Sequence, residues 1–148
     1  MDAEGYRERL WPSASVCAFV LLVGVGFGIV VAPFGPAVML VVGVVMTLAL
    51  EGLVLTSATT VGVEQGDLVA GRARIPVRFL GSPEVLDTAG MRYARGPGLD
   101  ARAYLCLRGW IGPGLRIPVT DPEDPVPYWL VSSRRPQQLA DALARAGA

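Results

Sequence analysis

Two long apolar stretches separated by a compact breaker open the chain. "WPSASVCAFVLLVGVGFGIVVA" (Trp11–Ala32) holds sixteen uninterrupted apolar residues, Val16 to Val31. Counted from Pro12 it runs about 20 residues, roughly 30 Å as a helix, which matches the hydrocarbon core of a bilayer. "PFGP" (Pro33–Pro36) interrupts it with two prolines and a glycine. "AVMLVVGVVMTLALEGLVL" (Ala37–Leu55) supplies a second span of about 28 Å. A short uncharged connector makes the spans antiparallel neighbours. The pattern therefore predicts an N-terminal segment over 1–11 and a transmembrane helical hairpin over 12–56, with spans 12–32 and 37–55. A cleaved signal peptide is the competing reading of the first span. Its long core, the lack of a small-residue cleavage site before a polar start, and the immediate second span argue against that.

After Leu55 the hydrophobic period changes to two. Val61 and Val63 alternate with Thr60, Gly62 and Glu64, a turn falls at Gln65-Gly66-Asp67, and Leu68 and Ala70 resume the pattern. Ile75, Val77 and Phe79 are expected on one face, with Arg74, Pro76 and Arg78 on the other. "PEVLD" (Pro83–Asp87) reads as a short strand, and "TAGMRYARGPGLDAR" as an irregular or short helical excursion. In "AYLCLRGW" Leu105 and Leu107 oppose Tyr104, Cys106 and Arg108. A Gly112-Pro113-Gly114 turn then leads to Leu115, Ile117 and Val119, which predicts a hairpin. Asp121 to Pro125 is a proline-fixed turn and "VPYWLVSS" the strand after it. Tyr128 and Trp129 point to opposite faces, so one is expected in the core and the other at the rim. Pro136 suits the first position of a closing helix that carries Leu139, Ala140 and Leu143 on one face.

The predicted fold class is thus α+β: a transmembrane helical hairpin, then a small antiparallel β domain over 57–148 closed by a C-terminal helix. Six or seven strands followed by such a helix resemble a pleckstrin-homology-like barrel.

Charge sharpens the division. No charged residue lies between Leu10 and Leu50, and Glu51 is the only one between Arg9 and Glu64. The whole chain nevertheless balances 13 basic against 13 acidic residues over its 148 positions. Arg7 and Arg9 precede the first span, Arg72, Arg74 and Arg78 follow the second, and the tip carries none. This favours both termini on the cytoplasmic side of a cell membrane, with Tyr6 and Trp11 at the interface.

Chemistry is narrowed by absences. The chain has no histidine and no lysine, which removes the commonest general base and metal ligand, Schiff-base chemistry and a P-loop. Cys17 and Cys106 have no metal-type spacing. No catalytic, cofactor or metal site is expected. Ser132 and Ser133 lack any activating partner in sequence and read as strand-end hydrogen-bonding groups. Asp121, Glu123 and Asp124 lack the oxygen-ligand pattern of a calcium loop and read as a turn.

The residues left for interaction are arginines. Arg72, Arg74, Arg78, Arg134 and Arg135 form the candidate surface for anionic lipid headgroups or a protein partner, at about 1 kcal/mol each near a membrane. Nucleic acid is not expected of a neutral chain. Gly24 and Gly28 fit close helix packing, against the second helix or another copy. Glu51 lies near the end of its span, where it can snorkel to the interface. "RIPV" at Arg74–Val77 and Arg116–Val119 marks two similar strand edges.

"YRERLWP" (Tyr6–Pro12), "GRARIPVRF" (Gly71–Phe79) and "VTDPEDPVPYWLVSSRRPQQLADAL" (Val119–Leu143) resemble a family of uncharacterised two-pass membrane proteins of actinobacteria, a domain of unknown function. The layout is also similar to bacterial membrane proteins with pleckstrin-homology domains. The family implies no activity, and no catalytic residue carries over. The expected function is a non-enzymatic membrane-anchored module that contacts a protein, a second copy or anionic lipid. The alternative is an accessory subunit of a membrane enzyme or transporter using Glu51 with Asp121 and Asp124.

Overall fold

The computed structural model describes residues 5–147. They divide into two compact units: an apolar helical unit from Trp11 to Ala58, and an α+β unit formed by the chain on either side of it.

The helical unit has two antiparallel helices, α1 (Ala14–Val30) and α2 (Pro36–Thr56), joined by a short 3-10 turn at Ala32–Phe34. Proline begins α2 at its first position, where its missing N–H leaves no bond unmade. Among the described residues only α2, at 21 residues, is both long and apolar enough to cross a membrane; α1 is a shorter apolar helix of 17 residues. The only buried side of α1 is the stripe Val20, Gly24 and Gly28, spaced four apart. Residues such as Gly43, Thr47 and Glu51 of α2 are half-buried, and the outer faces of both helices are apolar and exposed: Phe19 is 64% accessible, Val30 74% and Leu48 67%.

The second unit holds eight strands in two sheets. In the first, β1 (Arg7–Leu10), β2 (Thr59–Glu64), β3 (Asp67–Ala70) and β4 (Ala73–Pro76) lie side by side in chain order, all antiparallel. The Gln65–Gly66 loop between β2 and β3 has positive φ at both residues, 53° and 81°, as a two-residue hairpin turn of the twist-matched kind requires. In the second sheet the order is β5 (Glu84–Leu86), β7 (Gly114–Pro118), β8 (Tyr128–Ser132), β6 (Tyr104–Cys106). Helix α3 (Thr88–Ala94) follows β5, and α4 (Pro136–Gly147) closes the chain. Asp87 caps α3 by accepting the Gly90 N–H at 2.7 Å. Leu139, Ala142 and Leu143 of α4 are buried with Leu10, Val61, Leu68, Leu115, Ile117, Trp129 and Val131 in the main core.

Four features differ from the sequence-based expectation. The strands form two sheets rather than a closed barrel. Pro76 ends β4, the chain turns as a 3-10 segment at Val77–Phe79, and Leu80 forms an isolated antiparallel bridge with Val119. This turn also removes the common strand face expected of Arg74 and Arg78. Residues 7–10 are not a free flank to a membrane span but an edge strand, with Leu10 fully buried. Next, β6 does not form a hairpin with β7; it runs parallel to β8, with Cys106 inside and Leu105 43% accessible. Finally, Tyr128 and Trp129 are both buried, because this sheet is covered on two faces. Trp129 enters the main core, while Tyr128 and Leu130 pack against Met91 and Ala94 of α3.

Candidate interaction sites

Glu8, whose alternation along β1 leaves it half-buried, joins three distant parts of the α+β unit by hydrogen bonds. Its Oε2 accepts the Ser133 hydroxyl at 2.6 Å and the Tyr6 hydroxyl at 3.0 Å. Its Oε1 accepts the Arg134 N–H at 2.9 Å. Ser133 is fully buried, and its oxygen also accepts the Arg135 N–H at 3.1 Å, one step before Pro136 opens α4. Burial pushes the Tyr6 phenol up to about 12. Ser132, also buried, accepts the Arg108 N–H at 3.1 Å. Both serines thus have hydrogen-bonding work at the strand end. The partner Glu8 is not visible from local sequence; the one hint is an acid placed between two arginines in "RER".

The arginines singled out by sequence occupy different places. Arg74 on β4 is exposed and pairs with Asp67 at 3.6 Å and Glu64 at 3.9 Å, and Glu64 also meets Arg7 at 3.9 Å. Such exposed pairs contribute little to stability. Arg72 is exposed in the β3–β4 turn. Arg78 lies over the Phe79 ring, 4.7 Å from its centroid. Its neighbour Val77 approaches Gly147, so Arg78 is beside the last turn of α4. Arg134 and Arg135, both exposed, precede the first turn. Twelve helical residues separate those ends, a distance of about 18 Å. The five arginines therefore do not share one patch.

The acidic stretch is a turn built from its own side chains. Asp121 Oδ1 accepts the Glu123 N–H at 3.0 Å, and Asp124 Oδ1 accepts the Val126 N–H at 2.9 Å. Among the described residues, no three potential metal-binding side chains converge. Elsewhere on the unit a cleft of about 630 Å³ is lined by residues that include Glu84, Asp100, Arg116, Tyr128 and three prolines. Arg116 stacks over the Tyr128 ring at 4.3 Å. Asp100 is taken up by Arg102 at 2.9 Å, and that hydrogen bonding lowers its carboxyl to about 2.

In the helical unit, Gly24 and Gly28 face α2 and not open surface. A side chain on Gly24 would collide with Thr47; one on Gly28 would come within 2.8 Å of the Met39 carbonyl oxygen. Gly26 has nothing within 4 Å. Thr47 turns its hydroxyl to the Gly43 carbonyl at 2.8 Å. Glu51 is half-buried on α2 and faces Cys17 of α1, a neighbour that the linear pattern does not reveal.

Comparison with known proteins adds one match. A family model described as a protein of unknown function (DUF3093) matches residues 5–143. No curated protein and no solved structure matches the chain.

Proposed function

The chain belongs to that family, and we propose that it is a non-enzymatic membrane-anchored module: a helical hairpin in the bilayer holding a small α+β unit at the cytoplasmic face. Its contacts there are with a protein partner or anionic lipid. The observation that carries this reading is the exposure of the hairpin. Helices that are apolar on every side belong inside a large core or inside lipid, and here only one stripe of α1 is covered. Contiguous exposed apolar surface of this kind marks a membrane or protein contact.

Both helices take part in this reading. The 17 residues of α1 give about 25 Å, short of a full span, and flanking interfacial residues with local thinning make up the difference. The sheet register supports a common side for the two ends. Leu10 pairs with Thr59 across β1 and β2, and α1 begins four residues after one while α2 ends three residues before the other. A crossing by only one helix would have to separate these paired strands. Arginine placement on both flanks favours the cytoplasm as that side.

The pleckstrin-homology-like character survives only as a likeness of layout, strands followed by a closing helix. The alternative use of Glu51 with Asp121 and Asp124 gains nothing from the acidic turn, whose Oδ1 atoms already accept backbone N–H groups.

Crosslinking in native membranes followed by mild detergent extraction tests the function. Recovery of one defined envelope protein, or of a second copy, supports the interaction reading. Recovery of the chain alone, together with no binding to anionic liposomes, overturns it.

A further inference from the structure

We propose that the cleft bounded by Glu84, Arg116 and Tyr128 binds an apolar α-amino acid, whose carboxylate meets Arg116 and whose ammonium group meets Glu84. The site is contained in the α+β unit and does not depend on the membrane reading.

Strand register builds the floor. Glu84 of β5 is directly opposite Arg116 of β7, and Pro118, two residues on, is opposite Tyr128 of β8. Residues two apart on a strand share a face, as do residues directly opposite, so these four side chains occupy one side of three adjacent strands. Helix α3 covers the same face at Tyr128 and Leu130. The loop that follows α3 forms a wall of the cleft. The Tyr128 hydroxyl fixes that loop: it accepts the Asp100 N–H at 2.8 Å and donates to the Gly98 carbonyl at 3.4 Å. Pro97, Pro118 and Pro127 stiffen the rim. The cleft of about 630 Å³ is thus preformed, and its size is ordinary for a small-molecule site.

The charges select the ligand. An acid and an arginine directly opposite on neighbouring strands, with Cβ atoms about 5 Å apart, normally attract each other. Here they stay apart. The Arg116 guanidinium lies over the Tyr128 ring, 4.3 Å from its centroid, toward β8 and away from β5. Among the described residues neither Arg116 nor Glu84 has an ion pair. The third charge of the lining, Asp100, is already bound to Arg102 at 2.9 Å. One cation and one anion are therefore left open on the same floor. A simple anion would meet the Glu84 carboxylate and a simple cation would meet Arg116, each repelled at close range. A zwitterion satisfies both, and the short cross-strand spacing asks for charges close together, as in an α-amino acid. The guanidinium fork suits a carboxylate, with the stacked ring holding its plane. Leu99 and the prolines give the ligand side chain an apolar wall.

Titration of the full chain in detergent micelles, read by saturation-transfer NMR on the ligand, tests the site with leucine and phenylalanine as probes. Each should bind. Their N-acetyl and amide forms, which keep only one charge, should bind about tenfold more weakly. Arg116→Gln should weaken binding of the free amino acids by a similar factor. Glu84→Gln should bind N-acetyl-leucine as well as leucine; Glu84 is exposed, so this variant guards against loss of folding as the cause. Arg72→Gln should leave binding unchanged. Equal affinity of the wild type for leucine and either derivative overturns the zwitterion pairing. Binding unaltered by both Arg116→Gln and Glu84→Gln puts the probe elsewhere and overturns the site. Failure of the wild type to bind either free amino acid also overturns it, whatever the outcome for membrane insertion.

Discussion

The Ser133 hydroxyl donates to Glu8 Oε2 at 2.6 Å across 125 positions of sequence. It fastens the strand before the helical hairpin to the turn before the last helix. Residues 11–58 are thus an insertion between two paired strands, β1 and β2, whose union is locked from the far end of the chain. The motifs "YRERLWP" and "VSSRRP" meet at this bond.

Removing the carboxylate should loosen the α+β unit. Glu8→Ala leaves the Ser133 hydroxyl buried without its acceptor, a loss of about 1–3 kcal/mol. Ser133→Ala should cost less, and the double variant should fall short of the sum by about 0.5 kcal/mol or more. Denaturant titration of the four proteins in detergent gives the coupling; strict additivity would show that the bond carries no stability.

In the hairpin, position decides the effect of a methyl group. Gly28→Ala drives Cβ against the Met39 backbone carbonyl, which cannot swing away. Overpacking of this kind costs about 1–3 kcal/mol. Gly26→Ala meets nothing and should be neutral or slightly stabilising. Thermal melting in micelles should rank Gly28→Ala well below the wild type. Equal melting of the two variants would mean that Gly28 does not face α2.

Alkaline pH should weaken the unit. The Tyr6 phenol stands at about 12 in the folded chain, up from 10.0. The neutral form is thus favoured by folding, so its contribution is complete below pH 10 and is lost as pH rises toward 12. Burial raises Tyr104 and Cys106 as well, so part of the slope belongs to them. Stability measured across this window should fall, and Tyr6→Phe should make the fall shallower. An unchanged slope in that variant would remove Tyr6 from the account.

A charge at mid-hairpin should prevent stable insertion. Leu48 is 67% exposed near the middle of α2, and Leu22 is equally open on α1. Arginine at the centre of a span costs about 2.5–3.5 kcal/mol. Leu48→Arg and Leu22→Arg should each lower the fraction resistant to alkaline carbonate extraction. If only Leu48→Arg does so, α1 rests at the interface instead of crossing.

Local sequence revealed what local forces decide. The prolines of "PFGP" divide the helices, Gln65–Gly66 makes its turn, and Pro136 starts α4, each from backbone constraints within a few residues. The parts hidden from the sequence depend on distant partners. Four residues of alternating charge, "RERL", carry no strand signal until β2 pairs with them. Parallel alignment of β6 with β8 leaves no turn signature. Period-two reasoning puts one of Tyr128 and Trp129 at the rim because it assumes one wet face, whereas here α3 covers that face too. The same limit hid the candidate sites. Glu8 and Ser133 are unremarkable alone, and only the fold brings them together across the chain.

The most direct test of the central claim is the side of the membrane on which the hairpin tip and the last helix lie. With Cys17 and Cys106 replaced by serine, single cysteines at Phe34 and at Asp141 can be challenged in intact cells with a membrane-impermeant maleimide. The account predicts that Phe34→Cys is labelled from outside, while Asp141→Cys reacts only after lysis. Labelling of both positions from the same side, or recovery of the chain from the detergent-free supernatant, would contradict it.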